Sequence, residues 1–129
     1  IQDHDREIVA KALSLVGMEA YAGRTMDTMS DGECQRIMIA RALAQDTSVI
    51  LLDEPTSFLD MPGRYKLCSL LGHLAHDEGK CILFSTHELD IALKMCDKVA
   101  LLDACGLEIY DASVLRDNGL IEQVFSINL

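Results

Sequence analysis

No run of apolar residues in the 129-residue chain approaches the roughly 18 that a helical membrane span needs, so none of it is expected to cross a bilayer as a helix. No positively charged leader stands ahead of an apolar segment at the N-terminus. Basic side chains are scarce. Eleven Lys and Arg against 21 Asp and Glu give a formal net charge of −10, which argues against a broad contact with a nucleic-acid backbone but not against one locally bound nucleotide. C-x-x-C pairs are absent, and Cys34, Cys68, Cys81, Cys96 and Cys105 stand singly without a histidine at zinc-ligand spacing. They read as free, mostly buried thiols in a reducing cytoplasm. Internal repeats and low-complexity segments are absent too. What remains is expected to be globular and soluble, and its 50% hydrophobic residues are ample for one packed core.

Helical and strand patterns alternate along it, which predicts an α/β fold with a parallel sheet. Ile8, Val9, Ala12, Leu13 and Val16 make an apolar stripe that stops at Gly17, where a left-handed C-cap is free of strain. A second helix is expected from about Gly32 to Gln45. It is apolar nearly all round apart from Arg36 and Arg41, and so is expected to be largely buried. Val49 to Leu52 are four apolar residues in succession, the pattern of a strand covered on both faces. Leu67, Leu70, Leu71 and Leu74 then mark a crossover helix between Pro62 and Gly79, ahead of a second buried strand, "CILFST". A helix with Leu89, Ala92, Leu93 and Cys96 on one face follows. "KVALLD" and "LEIYD" form a hairpin around "ACG", and short helices over 112–126 close the chain.

The chemistry-bearing residues fall at the ends of these elements. Asp53 and Glu54 stand at the C-terminal end of the first strand, where loops and helix N-termini converge in open α/β sheets. They suit two jobs of phosphoryl transfer, holding Mg2+ and activating the attacking water, although an acidic pair there also suits general acid/base work. Thr86 and His87 end the next strand, at the same edge of the sheet. A lone histidine so placed is more often structural. "MSDGE", residues 29–33, has the Ser30–Glu33 spacing of a capping box, and Asp60 in "SFLD" is an N-cap candidate ahead of Pro62.

Taken together, "MSDGECQRIMIARALAQDTSVILLDEPTSFLD" resembles the signature motif, signature helix, Walker B strand and D-loop of the ATP-binding cassette family in unbroken order. "STH" resembles its switch-histidine strand, and the likeness covers nearly the whole chain. The resemblance implies the C-terminal part of a RecA-like P-loop NTPase cassette: residues 1–28 end the helical subdomain, and 29–129 form the C-terminal half of the nucleotide-binding domain. It implies that Asp53 binds Mg2+ through water, that Glu54 is the catalytic base and that His87 contacts the γ-phosphate of ATP. Ser30, Asp31, Gly32 and Glu33 would face, together with Asp60 of the D-loop, the ATP held mainly by the opposite subunit of a dimer. The implied partners are that second subunit, transmembrane permease subunits and, indirectly, a substrate-binding protein. The implied location is the cytoplasmic face of the membrane. The signature looks most like those of importers of ferric siderophores, haem or cobalamin. Alternatives are a non-transport ATPase of the same family, acting on DNA ends or ribosomes, and a non-catalytic interaction module.

Three departures qualify the likeness. Asp31 stands where the family has a glycine and Glu33 where it has a glutamine; two carboxylates near a triphosphate need a partner, for which Arg36 is the candidate. Phe58 stands where the D-loop has a small residue. No G-x-x-x-x-G-K-[ST] loop occurs, since Gly79 and Lys80 are followed by Cys81. The chain also opens on Ile1 inside a helical pattern. The expectation is therefore a C-terminal portion of a longer subunit, inactive by itself.

Overall fold

A computed structural model describes residues 2–117, 119 and 121. They fall into two compact units, Ile1–Thr86 and His87–Leu129. In the first, α1 (Asp3–Leu15) ends where Gly17 takes the left-handed φ of +71°. Its stripe is narrower than expected, with Ala12 and Val16 buried but Val9 half exposed. Single 3-10 turns over Glu19–Tyr21 and Met26–Thr28 lead to α2 (Asp31–Ala44). Helix α2 buries only Ile39, Ala40 and Leu43, and Met38 is exposed. The expectation of a largely buried helix is corrected here: α1 and the crossover helix pack on one side of it, and most of its other residues are only partly buried.

Strands β1 (Val49–Asp53) and β2 (Cys81–Ser85) pair in parallel, with Val49 opposite Cys81 and Asp53 opposite Ser85. The crossover between them is α3 (Met61–His76), which buries Leu67, Cys68, Leu71 and Leu74. The apolar run in β1 does not mean cover on both faces. Successive side chains of a strand point to opposite faces, so Ile50 and Leu52 enter the core while Val49 and Leu51 do not. Leu51 is 71% and Leu83 58% exposed, because among the described residues the helices pack on one face of this sheet only. The core of the unit joins Ala12, Val16, Ile39, Leu43, Ile50, Leu67, Leu71 and Leu74.

The second unit holds α4 (Leu89–Met95), the antiparallel hairpin of β3 (Lys98–Asp103) and β4 (Gly106–Asp111), and α5 (Ala112–Asp117). Asp103 Oδ1 accepts from the amides of Cys105 (2.8 Å) and Gly106 (3.1 Å), which closes the turn expected around "ACG". Ala92, Val99, Ala112 and Leu115 form its small core. Of the expected closing helices, α5 is present and most of the remainder lies outside the described residues. All five cysteines are free thiols, but only Cys68 is buried; Cys81 and Cys105 are exposed, the former at the start of β2 and the latter in the hairpin turn.

Candidate functional site

The predicted residues other than His87 gather at two places in the first unit. One is the C-terminal end of β1. Asp53 and Glu54 are exposed there, and the parallel register sets Ser85 beside them. Ser85 Oγ lies 2.6 Å from Asp53 Oδ1 and accepts the amide N–H of Glu54 at 3.0 Å. Glu54 has φ +43°, a left-handed conformation that costs a non-glycine residue on the order of 1 kcal/mol and persists only where its surroundings hold it. The Glu54 carbonyl also accepts from the Ser57 amide at 3.1 Å. The turn runs on through buried Thr56 to Phe58, which has φ +66° and is 92% exposed.

The second place is a cavity of about 540 Å³ between two helix N-termini. The start of α2 lines it with Ser30 to Glu33 and the start of α3 with Phe58 to Asp60; Asp53 and Glu54 do not line it. Both helix ends are capped. Ser30 Oγ accepts from the Glu33 amide (3.2 Å), and Glu33 Oε1 accepts from the Ser30 amide (2.9 Å), so the expected capping box is present. Asp60 Oδ1 accepts from the Gly63 amide at 2.8 Å. Each helix end adds roughly half a positive charge from its aligned peptides.

The Glu33 carboxylate is held below its usual range, first by the hydrogen bond from the Tyr21 hydroxyl and then by the Ser30 amide, with the Arg24 charge adding a smaller share. Tyr21 is correspondingly pushed up by Glu33. Arg24 sits over the Tyr21 ring, 4.7 Å from its centroid. The compensation expected from Arg36 thus comes from Tyr21, Ser30 and Arg24, because the 3-10 turn before α2 brings residues 21 and 24 onto its first turn. Arg36 lines the cavity together with Lys66. Asp31 is exposed and its side chain makes no hydrogen bond or ion pair among the described residues, so the positive end of α2 is what offsets its charge.

His87 is exposed and is the first residue of the second unit. Ser85 opens the "STH" stretch but drew no role of its own from the sequence, and the signal that could have found it was the pairing of two five-residue parallel strands, which sets "VILLD" against "CILFS". Among the described residues no group of three or more His, Cys, Asp or Glu could hold a metal ion. A Mg2+ ion at Asp53 would draw only a small part of its shell from this chain, the other positions going to water and phosphate oxygens.

The model of the ABC transporter family matches residues 2–57. The iron(3+)-hydroxamate import ATP-binding protein of Bacillus subtilis is 36% identical over 129 residues, 99% of this chain and 48% of its own length. The hemin import ATP-binding protein of Nocardia farcinica is 41% identical over 102 residues, 79% of this chain and 35% of its own length. Among solved structures, a metal-chelate type ABC transporter in an inward-facing conformation superposes with a TM-score of 0.88 at 29% identity, over 98% of this chain and 51% of that one. The chain thus spans about half the length, or less, of the relatives it matches.

Proposed function

The chain belongs to the ABC transporter family and has the fold of its ATPase cassettes, and on that premise we propose that it carries the second half of an ATP-hydrolysing subunit. The observation that carries the reading is the division of the candidate residues. The carboxylates of Asp53 and Glu54 lie at a strand end, whereas Ser30 to Glu33 and Asp60 line a separate cavity at two helix ends. Such a chain suits a site shared by two subunits, each supplying one part.

At the strand end Asp53 would hold Mg2+ through water, an ion that would supply positive charge at the phosphates. Glu54 accepts the proton of the attacking water. His87 contacts the γ-phosphate. At the helix end Ser30 and Gly32 offer hydroxyl and amide groups to the γ-phosphate of the ATP bound mainly to the other subunit, where the helix dipole favours negative charge. Asp60 belongs to the loop that crosses between subunits. Residues 1–28 end the helical subdomain, and 29–129 are the C-terminal half of the nucleotide-binding domain.

Without a phosphate-cradling loop the chain alone neither binds ATP tightly nor hydrolyses it. The full subunit dimerises, docks on permease subunits at the cytoplasmic face of the membrane and powers import. The cargo is a ferric siderophore, haem or cobalamin, and relatives named for iron hydroxamate and hemin import support the first two. In the full-length protein, Glu54→Gln is expected to keep ATP binding and lose turnover; hydrolysis at the parental rate would exclude Glu54 as the base.

A further inference from the structure

The geometry points to Ser85 as a positioning residue that sets the Asp53 carboxylate and the Glu54 backbone at once, an inference that rests on the roles proposed above for those two residues. A backbone N–H can only donate, so the contact from Glu54 N at 3.0 Å fixes Ser85 Oγ as its acceptor. The hydroxyl proton is then directed to Asp53 Oδ1, and the 2.6 Å separation is that of a hydroxyl bonded to an ionised carboxylate. One hydroxyl therefore uses both its donor and its acceptor capacity on adjacent residues of the neighbouring strand.

Two consequences follow for the site. With Oδ1 committed to Ser85, the Asp53 carboxylate cannot rotate freely, and its second oxygen is left to solvent or to a metal-bound water. The Glu54 amide is likewise tied down at the residue whose φ of +43° needs holding. Alanine or valine at position 85 would lose both bonds. Threonine would keep the hydroxyl and suits a strand. Ser85 is exposed, so removing its hydroxyl opens no cavity in the core.

The test uses the full-length protein with Ser85→Ala, Ser85→Thr and Asp53→Asn, titrating Mn2+ by electron paramagnetic resonance in the presence of ATP. Binding of a fluorescent ATP analogue without metal is measured alongside. Ser85→Ala is expected to weaken Mn2+ about tenfold, the lower end of what losing a hydrogen bond outside the inner coordination shell costs, while metal-free nucleotide binding stays at the parental level. Ser85→Thr is expected to restore Mn2+ affinity. Parental Mn2+ affinity in Ser85→Ala, or equal impairment in Ser85→Thr and Ser85→Ala, would overturn the role of Ser85. Parental Mn2+ affinity in Asp53→Asn would instead overturn the assignment of Asp53 on which it rests.

Discussion

Adding one methyl group at Gly32 and, separately, at Gly63 asks whether these glycines serve the fold or a ligand. At Gly32 a Cβ would meet Leu59 Cδ2 at 3.8 Å, an ordinary van der Waals contact, and nothing nearer. Alanine is favoured over glycine in a helix by about 1 kcal/mol, so Gly32→Ala should leave the protein as stable or slightly more stable. At Gly63 a Cβ would fall 2.7 Å from Asp60 Oδ1, the atom that caps α3. The cap is worth about 1 kcal/mol, so its loss offsets the helical gain and Gly63→Ala should not be stabilised. The fold has no steric need for glycine at 32; the proposed phosphate contact does, since a side chain there holds the γ-phosphate away from the amides. Chemical denaturation and steady-state ATPase assays on the full-length variants separate the two effects. The expected result for Gly32→Ala is undiminished stability with turnover down at least about tenfold, which corresponds to about 1.4 kcal/mol of barrier. Destabilisation beyond about 1 kcal/mol would refute the packing argument, and parental turnover would refute the phosphate contact.

The hydrogen bonds on Glu33, from Tyr21 first and the Ser30 amide second, predict a pH signature. Glu33 titrates below its ordinary 4.5, so its contribution to stability is present above that value and is lost as pH falls through the lower folded-state value. Glu33→Gln should therefore be less stable than the parent near neutrality, with the difference vanishing in acid; a difference that persists or grows at low pH would contradict this. Calorimetry of the 129-residue chain with Mg-ATP should register no micromolar binding, and stoichiometric binding in that range would show that it needs no further phosphate-holding loop.

How far the sequence could be read depended on the range of the interaction. The Ser30–Glu33 box, the left-handed Gly17 and the β1–α3–β2 crossover are local or periodic and were legible. The exposed side of β1 was not, because four apolar residues in a row report only that a strand can be covered on both faces. The partner of Glu33 was expected at i+3 on its own helix. It comes instead from Tyr21, twelve positions earlier, through a turn that no short pattern announces. Ser85 escaped notice because its role depends on register across a crossover of some thirty residues. Phe58 stood out as unusual, but its left-handed backbone and exposure required the structure.

The claim that each subunit supplies one part of a shared site is tested most directly by mixing two inactive full-length variants, Ser30→Arg and Glu54→Gln. If the helix end of one subunit serves the strand end of the other, a mixed dimer holds one site with both defects and one with neither. ATPase activity should then reappear on mixing. Activity that stays at the level of the separate variants, in mixtures shown to contain mixed dimers, would contradict the account.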